Sequence, residues 1–259
     1  DMNFGIGILA GALGALVGLG GGVVMIPMLT GWLGFSQHRA QGTSLLALMF
    51  TGLAGAAAYG ANRSVDWTAA ALLALPALLT AWAGARSCNR LPERSLRRLF
   101  SAFMIAISVL MLLKPFLNPL TGTVSVGFKA GVLAATGLIT GFLSGLLGIG
   151  GGAVMIAAMV LILGYGQHPA QGSALVAMVP VAAVGAWCYR GFGRADAGVL
   201  KGLVPGILLG AAGGAQLAHL FPDAGLRIVF AAVLAGTGLH GLRAKPGEAS
   251  CGASRGEPG

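Results

Sequence analysis

Charge is what this sequence has least of. Its 259 residues hold 16 Lys and Arg and only 7 Asp and Glu, 9% in all, where an average soluble domain carries roughly 25%. So few charges cannot wet the surface of a chain this long. That excludes a water-soluble enzyme, a disordered segment and a nucleic-acid-binding domain. Cysteine is scarce too: Cys88, Cys188 and Cys251 share no metal-ligand or redox spacing, and nothing calls for a metal or cofactor. The opening Asp1-Met2-Asn3 lacks a basic stretch ahead of an apolar one, so no cleaved secretory signal is expected. What is abundant is apolar: 56% hydrophobic residues and a mean hydropathy of +0.85. In that setting the formal charge of +9 points to cytoplasmic loops facing anionic lipid, not to nucleic acid.

Apolar runs fall at 4–33, 42–60, 67–86, 99–117, 126–163, 172–189, 196–218 and 226–242. Each is near or above the ~20 residues that span a bilayer. Within lipid only a helix satisfies its own backbone at such lengths, so the expected fold is an all-α integral membrane protein of about eight hydrophobic segments. The end of the chain, 243–259, is polar and rich in Gly, Ser and Pro, and reads as a disordered tail.

The chain also repeats itself at an offset of 130 residues. Gly18-Leu-Gly-Gly-Gly22 returns as Gly148-Ile-Gly-Gly-Gly152, Gln37-His38 as Gln167-His168, Ala40-Gln41-Gly42 as Ala170-Gln171-Gly172, and Tyr59 as Tyr189. Between 17–60 and 147–190, 19 of 44 positions are identical. The expected organisation is a first transmembrane repeat over 1–117, a linker over 118–125 and a second repeat over 126–242. Internal duplication of this kind is usual in secondary transporters.

Counting charge chooses between two topologies. If segments 4–33 and 126–163 each cross once, the halves are parallel and the 16 basic residues split 9 to 7. If each folds back at its glycines, the halves are inverted and the split becomes 12 to 4, with Arg63, Lys114, Lys129 and Arg227 in the minority. The positive-inside bias favours inverted halves in a multi-pass membrane protein with both termini in the cytoplasm.

For most of the 45 glycines, close helix packing is explanation enough. The repeated triplets Gly20, Gly21, Gly22 and Gly150, Gly151, Gly152 suggest more. Glycine clusters break a helix at a defined place, and the half-helix that follows presents free N–H groups and a positive dipole end. Two such ends can enclose a small anion without a charged side chain. The stretches GLGGGVVMIP and GIGGGAVMIA, with QGTSL and QGSAL downstream, resemble the TauE/SafE sulfite exporter family, also called the toluene sulfonate uptake permeases. The resemblance covers residues 4–242 and implies a transporter of sulfur-containing anions such as sulfite or sulfonates, multi-pass in a bacterial inner membrane. It carries over no fixed set of functional residues. One departure is visible: Pro27 of the first copy is Ala157 in the second.

Gln41, Thr43 and Ser44, with Gln171 and Ser173 in the second copy, add amide and hydroxyl groups to the expected substrate site, and Gln41 and Gln171 read equally as hydrogen-bonding between the halves. Thr43 and Ser173 read equally as N-caps of the next helix, and the Gln37-His38 and Gln167-His168 pairs read as connections. Asp66 and Asp196 read as N-caps, Lys129 and Lys201 as snorkelling to the interface, and Arg90, Arg94, Arg97 and Arg98 as a solvated cytoplasmic cluster. Trp32, Trp67, Trp82 and Trp187 read as interfacial anchors, and Pro76 and Pro205 as bends. No Asp or Glu falls in the middle of an apolar run, which argues against a carboxylate relay. The expected partners are a small anionic substrate and the lipid bilayer, without nucleic acid. The coupling ion (H⁺ or Na⁺) and self-association stay open. The competing readings are an anion channel lined by the same half-helix ends and a membrane-embedded enzyme. The second lacks any acid–base constellation.

Overall fold

A computed structural model describes residues 2–88, 92–114, 125–193 and 197–243, with the backbone alone at Met2, Cys88, Glu93, Arg94 and Ala197. Residues 118–124 of the expected 118–125 linker, residues 244–259 of the expected 243–259 tail, the Asp196 cap, Arg90 and the Arg94 side chain lie outside the described residues.

The described chain forms α1 (Met2–Val17), α2 (Gly22–Gly31), α3 (Gln37–Ala61), α4 (Trp67–Cys88), α5 (Glu93–Leu112), α6 (Val126–Leu147), α7 (Gly152–Leu161), α8 (Gln167–Gly191), α9 (Ala197–Ala218) and α10 (Asp223–Arg243). Seven of them are long and apolar enough to cross a membrane. The first and fifth apolar segments each divide at their glycines, into α1 and α2 and into α6 and α7. At 22 residues α6 is itself long enough to span, so it is more than the half-helix expected from segment 4–33. The bounds of α2, α3 and α4 recur, shifted by 130, as those of α7, α8 and α9.

Local signals set the helix starts. Ser36 Oγ accepts the Arg39 N–H and opens α3 at Gln37, and Ser125 Oγ accepts the Phe128 N–H and opens α6. Asp66 Oδ1 accepts the Ala69 N–H at 3.0 Å, as expected of an N-cap for α4. The α3 and α8 starts correct two readings. Gln37-His38 and Gln167-His168 occupy first turns, not connections, and Thr43 and Ser173 lie inside helices where neither can cap its own.

Glycine stripes join the halves. On α6, Gly137, Gly141 and Gly145 face the Leu73, Ala77 and Ala81 carbonyls of α4. On α1, Gly7 and Gly11 face the Leu203 and Ile207 carbonyls of α9. A Cβ at any of these glycines would collide with facing backbone, so only glycine permits the approach. Residue numbers rise together along both pairs, so α1 runs parallel to α9 and α6 to α4. Corresponding helices of the two halves run the other way. Gly52 packs on Val179 and Gly185 on Leu45, making α3 and α8 antiparallel. Ser108 bonds to the Ala231 carbonyl while Gly238 meets Ser101, making α5 and α10 antiparallel. Trp32, Trp67, Trp82, Trp187, Leu75 and Leu79 face outward, where an apolar belt suits lipid.

Candidate functional site

The two glycine loops lie at the contact between the halves. Gly18, Gly20 and Gly21 have positive φ, as do Gly148, Gly150 and Gly151, a conformation that side chains with a Cβ rarely adopt. The chain reverses there. The Gly20 N–H bonds to the Gly14 carbonyl at 3.1 Å, and a Cβ on Gly21 would sit 2.6 Å from the Ala10 carbonyl oxygen. In a straight helix residues 10 and 21 would be ~16 Å apart. Gly151 returns in the same way onto Thr140 and Ser144.

Across the contact, each helix start meets the end of a helix from the other half. A Cβ on Gly22 would lie 3.3 Å from the Gly148 carbonyl oxygen, and one on Gly152 would lie 2.9 Å from that of Gly18. Leu48 and Met178, equivalent residues on α3 and α8, close over Gly20 and Gly150. The Val24 and Met25 N–H groups bond to the Gly21 carbonyl, and those of Val154 and Met155 to Gly151. The N–H groups of Gly22 and Val23, and of Gly152 and Ala153, are thus the helix-start donors without an intrahelical acceptor.

Two glutamines flank the loops. Gln171 packs on Gly18 and Gln41 on Gly148, both fully buried. Tyr59 Oη donates to Gln171 Oε1 at 2.7 Å and reaches the Ala15 carbonyl at 3.2 Å. Tyr189 Oη lies 3.4 Å from Gln41 Oε1 and 3.1 Å from the Gly145 carbonyl. With its oxygen held in this way, Gln171 keeps a buried Nε2 that no protein acceptor meets. Ser44 Oγ lies 2.6 Å from the Gly148 carbonyl and 2.9 Å from that of Gln41. Ser173 Oγ accepts the Asp66 N–H at 2.8 Å, holding the start of α4. Thr43 is buried in α3. Among the described residues, the buried polar side chains are all Gln, Ser or Thr, with no charge among them.

Several ionisable groups gather at one end. Asp66 accepts from Tyr165 Oη at 2.7 Å and lies 3.7 Å from Lys129 Nζ, which also stacks over the Tyr165 ring. Lys129 therefore pairs with a carboxylate instead of snorkelling alone. Burial raises the Asp66 carboxyl, but the Ala69 N–H, Tyr165 and the Lys129 charge outweigh it and hold the group below its ordinary 3.8. His168 Nδ1 lies 2.6 Å from Asp223 Oδ1, and its Nε2 lies 3.2 Å from the Ala218 carbonyl. His219 stacks between His168 and Tyr59 and reaches Ser64. Lys114 belongs to the same end: burial and the neighbouring Arg227 charge push its ammonium down, with Asp223 opposing. Arg63 follows Asn62 at the turn into this cluster. The four basic residues that the inverted count put in the minority thus share one end of the molecule.

Sequence reasoning noted Tyr59 and Tyr189 as repeated but gave them no task. Their recurrence at the 130-residue offset beside the glutamines was the available signal. His219, Leu48 and Met178 carry no motif and were missed.

The sequence model of the family described as sulfite exporter TauE/SafE matches residues 3–241. The chain is 29% identical over 234 residues to "Probable membrane transporter protein YunE" of Bacillus subtilis, covering 82% of this chain and 86% of that one. It is 26% identical to "Probable membrane transporter protein YdhB" of the same organism, covering 86% and 91%. To a "Probable membrane transporter protein" of Methanocaldococcus jannaschii it is 28% identical, covering 70% and 68%. No solved structure matches. The family and these relatives are transporters, not enzymes.

Proposed function

The chain belongs to the sulfite exporter TauE/SafE family of membrane transporters, and from that premise we propose that it carries a small sulfur-containing oxyanion, sulfite or an organosulfonate, by alternating access between its halves. The observation that carries the reading is the convergence of two helix starts, at Gly22 and Gly152, on one contact with Gln41 and Gln171 beside them and no buried charge among the described residues. An anion there meets the N–H groups of Gly22, Val23, Gly152 and Ala153, the Gln171 amide and two positive helix ends. Uncharged donors hold an oxyanion without the fixed counter-charge that would trap it. Gly20, Gly21, Gly150 and Gly151 supply the backbone shape, while Ser44, Ser173 and Thr43 hold the surrounding helices in register.

The loops must part for an ion to enter, because Leu48 and Met178 close over them. That favours a carrier over a channel, with the halves rocking about the contact. The antiparallel packing of equivalent helices supports inverted halves. The clustering of Arg63, Lys114, Lys129 and Arg227 supports placing that end outside, with both termini in the cytoplasm. The test is calorimetric titration of the purified full chain with sulfite, sulfate, thiosulfate and methanesulfonate. Saturable binding of sulfite or the sulfonate is expected, and no binding by any of the four contradicts the reading.

A further inference from the structure

The two helix starts are built from unequal surroundings. Beside Gly151, at the start of α7, stand Thr140 and Ser144 of α6. A Cβ on Gly151 would run into Thr140 Cγ2 and come within 3.4 Å of Ser144 Cβ. Their counterparts beside Gly21 in the first half are Ala10 and Gly14, which have no polar side-chain atom. Thr51 is the hydroxyl nearest Gly21, at 3.7 Å from a Cβ there, and it already lies 3.3 Å from the Ala47 carbonyl.

Thr140 and Ser144 differ from most helical hydroxyls in this respect; Ser101 of α5 shares it, but lies against Gly238 and Gly241 of α10 and not at a helix start. A Ser or Thr inside an apolar helix ordinarily donates to the carbonyl three or four residues back. Thr30, Ser44, Thr51, Ser87 and Thr237 all do so. Thr140 Oγ1 and Ser144 Oγ do not: both are buried, at 0% and 1% exposure, and neither meets an acceptor or donor in the protein. The remedy lay four residues away on the same helix, and a buried polar group left unmet is destabilising. Two such groups one turn apart, at a helix start whose N–H groups also lack acceptors, describe a site built to receive something rich in acceptors.

We propose that Thr140 and Ser144 determine oxyanion recognition, and that the oxyanion is gripped from the second half, by these hydroxyls together with the Gly152 and Ala153 N–H groups. The site is therefore one-sided although the fold around it is nearly two-fold. Thr140 donates one hydrogen bond and Ser144 another, and each needs an oxygen on the ligand, which a sulfite or sulfonate group has to spare. The α2 start then serves as the partner surface that closes over the ion and parts from it. This proposal rests on the anion-carrier reading.

The experiment is calorimetric titration of the full chain with sulfite, in wild type and in Thr140→Val, Ser144→Ala and Thr51→Val, alongside thermal unfolding without ligand. Loss of a hydroxyl to a charged ligand should weaken binding about tenfold in each of the first two variants. Thr51→Val should change it less than about twofold, its hydroxyl being engaged elsewhere. Without sulfite, Thr140→Val should unfold at or above the wild-type temperature, because it removes an unmet polar group while keeping its shape. If wild type binds sulfite and both α6 variants bind it equally well, the proposal fails and the carrier reading stands. The same holds if Thr140→Val lowers the unfolding temperature at unchanged affinity, since its hydroxyl is then structural. If wild type binds none of sulfite, sulfate, thiosulfate and methanesulfonate, both fail.

Discussion

Tyr59 and Tyr189 occupy equivalent positions at unequal distances from their glutamines, and the difference can be measured. Tyr59 Oη is 2.7 Å from its glutamine, Tyr189 Oη 3.4 Å from its own. Removing the Tyr59 hydroxyl strips Gln171 Oε1 of a close donor in a fully buried setting, so Tyr59→Phe should cost about 1–3 kcal/mol of stability. Tyr189→Phe should cost less in the same thermal melts. Asp66 makes a second residue-scale prediction. Its carboxylate is favoured in the fold, so its stabilisation is complete well above 3.8 and is lost as pH falls below that value towards the lowered one. The unfolding temperature should drop on acidification through that range, and Asp66→Asn should flatten the drop. The cap at Asp66 was legible in the sequence because it is local, a carboxylate just ahead of an apolar run. Its bonds to Tyr165 and Lys129 were not, since those partners lie about a hundred and about sixty positions away and nothing in the spacing brings them together.

Among the elements, α6 carries its glycines for two distinct reasons. Gly141 faces the Ala77 carbonyl and Thr80 of α4, whereas Gly131 has nothing within 4 Å of where a Cβ would be. Gly141→Ala must push α4 away and should destabilise by about 1–3 kcal/mol. Gly131→Ala should be neutral or stabilise by up to about 1 kcal/mol, through helix propensity alone. Paired thermal melts separate the two. The glycine stripes were foreseeable as packing, but their partners were not. The period of small residues names a face of α6 and says nothing of which helix meets it. Likewise the α3 and α8 starts were placed five residues late, because a hydropathy reading takes the polar Gln37-His38-Arg39 for a loop. Ser36, the N-cap of α3, was the overlooked signal.

The whole molecule draws on a property visible from the first count, its shortage of charge. Few ionisable groups remain, and several gather at the Asp66 end, away from a core that keeps only neutral donors. The repeat made the paired glycine loops legible in one sequence. It also concealed the site's asymmetry, because identical motifs invite equal roles while Thr140 and Ser144 stand against Ala10 and Gly14 just outside the most similar stretch. The proposed mechanism has an oxyanion cross by alternating exposure of the contact between the glycine loops. It is tested most directly by counterflow of radiolabelled sulfite in proteoliposomes holding the purified chain. Saturable uptake that accelerates when unlabelled sulfite is trapped inside is expected. Uptake that rises linearly with concentration and ignores the trapped anion would contradict it.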